Sequence, residues 1–207
     1  MEPYEIRKNA KVGRFLVASR DLFAGEYLFE DIPFAFGPKA RSNCCCLECH
    51  SPIDGTASGS RCHHCSWPIC DDCLKLTEFS VHKRECEIFI AAKCKFFNLN
   101  DPASTCIQLD CITPLRVILE KEANPQRWKN EVEPMQHHRE ERINSPAWNA
   151  DQQNIVSYLL GPCKLKARGI TEELIQQVIG ILEVNTFEAR TSKGDSIRCL
   201  YTKLAIS

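Results

Sequence analysis

The chain has 207 residues, of which 43% are apolar and 26% charged, and its formal net charge is −1. This length allows one medium domain or two small ones. The near-neutral charge excludes the excess of Lys and Arg on which general binding to nucleic acid or anionic lipid depends, and no apolar run approaches the roughly 20 residues of a membrane-spanning helix.

The N-terminal residues predict a short β-hairpin. Residues 15–18 (Phe-Leu-Val-Ala) are an apolar run, and residues 27–32 are a second strand-like run that is rich in aromatic side chains. Between them, residues 21–26 have the composition of a turn with Gly25 as its pivot. Because a hairpin alone buries little apolar surface, it needs further strands from elsewhere in the chain.

Cysteines are the most informative residues, because nine of the 14 lie between Cys44 and Cys86. The N-terminus, Met-Glu-Pro-Tyr-Glu, lacks the basic and then apolar pattern of a secretory signal. We therefore expect a cytoplasmic or nuclear protein, in which thiols stay reduced. Clustered cysteine pairs in such a protein indicate metal ligands rather than disulfides.

The ligand-type residues form four pairs: Cys46 and Cys49, Cys62 and Cys65, Cys70 and Cys73, and His82 and Cys86. A two-residue gap lets both thiolates of a pair reach one ion at about 2.3 Å. His82 and Cys86 are four residues apart, so they share one face of the helix predicted over residues 74–97. Eight ligands make two closed tetrahedral sites without a position for water, so the sequence predicts two structural zinc ions and no catalytic metal. The loop of residues 51–60 has almost no core of its own, which leaves metal binding to supply the folding energy.

Other residues near these pairs have two interpretations. Cys45, which follows Cys44, would leave a three-residue gap to Cys49 and make a poorer pair than Cys46 does. Trp67 either packs inside a finger with little core or forms part of a groove for Pro-rich peptides. The remaining nearby histidines are interpreted as solvated rather than ligating: His50, His63 and His64.

The second half of the chain predicts helices. Leu115 follows Pro114, a residue that suits a first helical turn. Residues 154–160 have helical apolar spacing, and Thr171 has the sequence context of a helix cap. The charged run of residues 137–142 is interpreted as a solvated helix face.

The order of six cysteines, one histidine and one cysteine resembles the MYND zinc finger. In that family the ligand pairs interleave. The resemblance therefore implies that Cys46, Cys49, Cys70 and Cys73 hold one zinc ion and that Cys62, Cys65, His82 and Cys86 hold the other. Spacing alone also permits sequential pairing. A MYND finger further implies protein partners, among them Pro-rich peptides.

Residues 13–26 (GRFLVASRDLFAGE) resemble the opening of a SET domain, and the finger follows directly. This layout resembles the SET-and-MYND protein-lysine methyltransferases, with a likeness to the arthropod SmydA-like proteins. The helical stretches resemble the insert between the halves of a split SET domain. Residues 183–187 (Glu-Val-Asn-Thr-Phe) resemble the E-x-N-x-F stretch that follows this insert, and residues 198–201 resemble the strand after it.

The resemblance implies S-adenosylmethionine as methyl donor and lysines of histones or other proteins as substrates. The donor contacts that it implies are Gly13 and Arg14 on the first loop, together with Glu183 and Asn185. From the residues alone, Gly13 and Arg14 could instead form a turn before a strand. Asn185 could cap a helix or bind a neighbouring loop.

We therefore expect an α+β fold with split SET-domain strands, an inserted two-zinc MYND finger and a helical insert. The expected segments are 4–43 for the N-terminal SET segment, 44–90 for the finger, 91–182 for the insert and 183–207 for the start of the core SET segment. The family's C-terminal motifs, including its catalytic tyrosine, are not in this sequence. The resemblance thus implies no catalytic residue here and no lysine methylation by this chain alone. A zinc-dependent module that binds Pro-rich partners is the alternative function.

Overall fold

The computed structural model describes residues 2–53, 60–97, 106–191 and 196–206. These residues form a mixed α/β structure, as predicted, with two small sheets, a cysteine-rich finger and a block of helices. Most of the loop of residues 51–60 lies outside the described residues, and so does the final residue of the segment 183–207.

The strands are β1 (Tyr4–Asn9), β2 (Gly13–Ala18), β3 (Ala35–Pro38), β4 (Phe187–Arg190) and β5 (Ser196–Leu200). Strands β1 and β2 form an antiparallel hairpin. The second sheet has the order β3-β5-β4 and is antiparallel throughout. Because β3 precedes the finger in sequence while β4 and β5 follow the helices, the second sheet joins two distant parts of the chain.

The predicted hairpin is wrong in one of its strands. Strand β2 forms, but it pairs with β1, and residues 27–32 form no strand. The side chain of Asn9 closes the observed turn, since its Oδ1 accepts hydrogen bonds of 2.9 Å from the backbone N–H groups of Lys11 and Val12. Five of the six β1 residues are exposed, so hydrophobic periodicity does not indicate this strand.

The helices are α1 (Asp71–Leu74), α2 (Lys83–Ala92), α3 (Ile112–Ala123), α4 (Pro125–Arg127), α5 (Arg139–Arg142), α6 (Pro146–Asp151), α7 (Ser157–Leu160) and α8 (Glu172–Asn185). Two π-helical stretches accompany them: Trp128–Val132 continues α4, and Gln152–Val156 joins α6 to α7. Short 3-10 turns cover Ile107–Cys111, Leu165–Arg168 and Leu204–Ile206. Within the described ranges, no helix is long and apolar enough to cross a membrane.

The finger helix is shorter than the predicted span of residues 74–97. It is α2, which runs from Lys83 to Ala92. The next residue, Lys93, has a left-handed backbone with φ 59° and ends the helix. The spacing argument for the last ligand pair still holds, because the Cys86 N–H donates a 2.9 Å helical hydrogen bond to the His82 carbonyl.

Helix α3 lies at the centre of the core. All its residues from Ile112 to Leu119 are buried, and it packs against β3, α2 and α8. The Thr113 hydroxyl donates a 2.9 Å hydrogen bond to the Pro38 carbonyl and so fixes α3 on the sheet. Helix α8 is capped as predicted, since the Thr171 hydroxyl accepts a hydrogen bond from the Leu174 N–H. Finger, sheet and helical block therefore meet on α3.

The interpretation of residues 137–142 as a solvated face is wrong for Arg142. This residue exposes only 11% of its side chain and pairs with Asp151 and Glu183, in each case with a closest N···O distance of 3.0 Å. It links α5 to α6 and α8, so the charged run has a structural role at its C-terminal end.

Candidate metal centre

Two of the ligand pairs lie on the same kind of backbone turn: Cys46 with Cys49, and Cys62 with Cys65. In each turn the N–H of the first cysteine donates to the carbonyl five residues on, and its carbonyl accepts from the N–H four residues on, all at 2.8 Å. The residue directly after the second cysteine of each turn is left-handed, with φ 61° at His50 and 65° at Ser66. This repeated geometry holds the two thiols of a pair close enough to share one ion.

The eight ligand-type side chains meet in two groups. The first contains Cys46, Cys49, Cys70 and Cys73, and the second contains Cys62, Cys65, His82 and Cys86. Within each group the ligand atoms all lie within 4.8 Å of one another. Of the two pairings that spacing allows, the structure has the interleaved one. Helix α1 carries Cys73 and helix α2 carries Cys86.

The distances suit tetrahedral zinc. Two thiolates bound to one ion at about 2.3 Å in tetrahedral geometry lie about 3.8 Å apart. The sulfur atoms of Cys49 and Cys70 are 3.7 Å apart, and so are those of Cys62 and Cys86. Nε2 of His82 lies 3.2 Å from Sγ of Cys65, which places the imidazole nitrogen among the thiols. Both groups are therefore compatible with a zinc ion.

The thiols of each group do not ionise together without a cation. Burial raises the pKa of Cys46 to about 11 in the first group and that of Cys65 to about 11 in the second. Two thiols differ, because hydrogen bonds outweigh their burial: those with Ser51, Cys73 and Cys70 lower the pKa of Cys49 to about 7, and those with His82 and the turn around it lower the pKa of Cys62 to about 6. A divalent cation would favour the thiolate forms of thiols such as Cys46 and Cys65, so metal binding should release protons.

A buried carboxylate contacts the ring nitrogen of His82 that does not face the thiols. Nδ1 of His82 lies 2.9 Å from Oε1 of Glu85, and neither side chain is exposed. Burial raises the pKa of Glu85, but Arg116 and His82 outweigh it, so its pKa is lowered and the group is ionised. The carboxylate accepts a hydrogen bond from Nδ1–H, so Nε2 is the ring nitrogen that is left to bind a metal.

Glu48, which lies between Cys46 and Cys49, connects the two groups of ligand residues. Its carboxylate accepts hydrogen bonds from the backbone N–H groups of Ser80, Val81 and His82 at 2.8–3.2 Å and from the Ser80 hydroxyl at 2.7 Å. It thereby satisfies the N–H groups of the three residues that lead into α2, near the helix N-terminus, where a negative charge is stabilising. A residue inside the first pair thus orients the helix that carries the last pair.

We expect Glu48→Gln to destabilise the metal-loaded protein by about 1–3 kcal/mol, because an uncharged amide cannot replace the charge-assisted bonds to several N–H groups. Urea unfolding monitored by circular dichroism measures the change. The matched control is Glu87→Gln, since Glu87 is an exposed glutamate on α2, and it should shift stability by less than about 0.5 kcal/mol. Equal effects of both substitutions would contradict the proposed role of Glu48 in stabilising the residues that lead into α2.

The other residues weighed as ligands lie outside both groups. Cys44 and Cys45 are buried but belong to neither group, and His63 and His64 are exposed, as predicted. The prediction for His50 is wrong, because it is 4% exposed. Burial and the nearby Arg116 lower the pKa of His50 to about 4, so it is neutral and accepts a hydrogen bond from this arginine.

Trp67 is a packing residue rather than the wall of an open groove. It is fully buried, stacks on Phe89 with a centroid distance of 3.9 Å, and donates from Nε1 to the Cys94 carbonyl at 3.1 Å. A Pro-rich ligand would have to contact other residues of the finger.

The residues implied as methyl-donor contacts lie on two parts of the fold. Gly13 begins β2 with φ 74°, and Arg14 donates to the carbonyls of Asn130 and Glu131. They are the first two residues of β2 and pair with the end of β1.

Near the end of α8, Glu183 pairs with Arg142. The amide of Asn185 donates to the carbonyls of Gln136 and Ile181 at 2.8 and 2.9 Å, so it binds a neighbouring loop and its own helix. Arg14 and Asn185 are thus engaged by protein carbonyls, and methyl-donor binding at these four positions stays a prediction.

Comparison with known proteins supports the resemblance. No protein-family model matches the chain. It is similar to the SET domain-containing protein SmydA-8, isoform A, of Drosophila melanogaster, with 28% identity over 198 residues that cover 92% of this chain. The match spans 38% of the length of that relative. Together with the two groups of four ligand-type residues, this similarity confirms the resemblance to SET-and-MYND proteins.

Proposed function

We propose that this chain binds two structural zinc ions through a MYND-type finger and forms a SET-type framework of the S-adenosylmethionine-dependent protein-lysine methyltransferase family. The observation that carries the proposal is the pair of closed, interleaved four-ligand groups. Neither group leaves a position for substrate or water, so the metal serves the fold and not the chemistry.

The course of the chain around the finger supports the SET part of the proposal. Strand β3, before the finger, pairs with β5, which follows α8, with Gly37 opposite Arg198. The finger and the helical block are therefore insertions between strands of one sheet, an arrangement in keeping with a split SET domain. The similarity to a SET domain-containing relative extends over nearly the whole chain.

Elemental analysis of the purified protein tests the zinc proposal. We expect two zinc ions per chain, and one after Cys70→Ser or Cys65→Ser, each of which removes a ligand from one group. Finding fewer than one zinc ion per unsubstituted chain, after purification without chelators in zinc-supplemented medium, would refute it.

Calorimetric titration separates the two functional classes. Binding of S-adenosylmethionine, weakened by Asn185→Ala, would support the methyltransferase framework with Gly13, Arg14, Glu183 and Asn185 as donor contacts. Binding of Pro-rich peptides without donor binding would favour the alternative, a protein-interaction module in the cytoplasm or nucleus. Histones and other lysine-containing proteins are the substrates that the framework proposal implies.

A further inference from the structure

Arg116 is a buried arginine whose five N–H donors are all used. It lies on α3 with 8% of its side chain exposed. Nε and Nη2 donate to the two carboxylate oxygens of Glu85 at 2.6 and 2.7 Å. The second Nη2 donor binds the Leu47 carbonyl at 2.6 Å, and Nη1 binds the Phe36 carbonyl at 3.1 Å and Nε2 of His50 at 2.8 Å. A planar guanidinium suits this arrangement and a lysine does not.

The acceptors come from three separate parts of the protein. Leu47 and His50 belong to the turn of the first cysteine pair, and Phe36 lies on β3. Glu85 lies on α2 and accepts the Nδ1 proton of His82. One side chain of the helical block thus contacts the sheet, the turn that carries Cys46 and Cys49, and the carboxylate next to His82.

Glu85 and Arg116 depend on one another. Removal of one partner of a buried, hydrogen-bonded ion pair leaves the other charge uncompensated. Without Arg116, the bidentate contact that fixes the Glu85 carboxylate is lost, and the carboxylate no longer holds the His82 ring. Partners of this kind behind a ligating histidine typically change metal affinity by 10–100-fold.

We propose that Arg116, through Glu85, is a positioning residue for His82, so that metal binding at the histidine-containing group and docking of the finger on α3 are one linked equilibrium. The inference rests on the proposed zinc binding. It adds that a residue of the helical block, 30 positions beyond the last ligand in sequence, sets the affinity of a site inside the finger.

The full chain loaded with cadmium-113 provides the test, because a four-cysteine site and a three-cysteine, one-histidine site give separate resonances. Competition with a chelator of known affinity then yields an affinity for each site. We expect Arg116→Lys and Glu85→Gln to weaken the histidine-containing site by about 10–100-fold and the four-cysteine site by less than about threefold. The His82 Nδ1 proton should also exchange faster with solvent in both variants.

Arg84 offers a matched control. It too bridges the finger to α3, through Glu120 at 2.8 Å and the Leu119 carbonyl, but its side chain is 43% exposed and does not contact Glu85 in the described contacts. Arg84→Lys should leave both affinities within about twofold, which separates positioning of His82 from docking in general. If either single variant fails to fold, the double variant Glu85→Gln/Arg116→Met removes both charges together and should show the same selective loss.

An unchanged affinity of the histidine-containing site in these variants, or an equal loss at both sites, would overturn the inference. Absence of any cadmium resonance from the unsubstituted protein would instead refute the proposed zinc binding. The two failures are therefore distinguishable.

Discussion

Chelation of the metal is expected to unfold the finger. Structural zinc contributes about 10–16 kcal/mol per site at neutral pH, whereas a whole domain is stable by only about 5–15 kcal/mol. The loss of two such contributions cannot be offset by the finger's own core, in which the fully buried large side chains among the described residues are Leu47, Trp67, Ile69 and Phe89. Incubation with excess EDTA should therefore reduce the circular dichroism of the protein and make residues 60–92 sensitive to protease.

The control for this experiment is EDTA saturated with zinc, which should leave the spectrum unchanged. Addition of zinc under reducing conditions should restore the signal, since all 14 cysteines are free thiols. The prediction fails if analysis shows that the metal has been removed and the circular dichroism nevertheless stays the same. In that case the packing of α2 on α3 would be sufficient to hold the finger.

Truncation of Trp67 is the second large effect that we expect. Trp67→Ala should destabilise the zinc-loaded protein by about 3–5 kcal/mol, because it removes the stacked contact with Phe89 and leaves a cavity. It also leaves the Cys94 carbonyl without its donor, a loss of about 1 kcal/mol that this range includes. Urea unfolding of the zinc-loaded protein measures the change.

Trp67→Phe separates these contributions, since it keeps an aromatic ring on Phe89 and removes only the indole donor and part of the volume. It should cost less than half as much as the alanine variant. A Trp67→Ala protein with unchanged stability but impaired binding of Pro-rich peptides would restore the groove interpretation.

The local parts of the site were predictable because their geometry depends on neighbours in sequence. The two-residue gaps at Cys46–Cys49 and Cys62–Cys65 form the same local turn, whereas the equal gap at Cys70–Cys73 opens helix α1. The cap at Thr171 is also a local feature. The shortened helix α2 was not predictable in this way, because its start is stabilised by Glu48, which lies more than 30 residues earlier.

The residues around the two ligand groups are placed by contacts between parts of the chain that are distant in sequence, so the spacing of residues does not predict them. His50 directly precedes the loop of residues 51–60 and is interpreted from sequence as solvated, yet it is buried against Arg116, and burial together with this charge keeps the ring neutral. The sequence offered two hints of these contacts. Arg116 is a charged residue inside the apolar run of α3, and Glu85 follows His82 by three positions, which places both side chains on one side of the helix. Strand β1 gave no such signal, because most of its side chains face solvent.

The crossed arrangement of ligand pairs has a consequence for how the finger responds to cleavage. Any break between Cys65 and Cys70 leaves two cysteines of each group on one fragment and the other two ligands on the second fragment. Each bound ion would then bridge the break, so metal would join the two fragments in addition to the pairing of β3 with β5. During synthesis, the four-cysteine group has all its ligands once Cys73 has been made. The histidine-containing group has all its ligands only after Cys86 has been made.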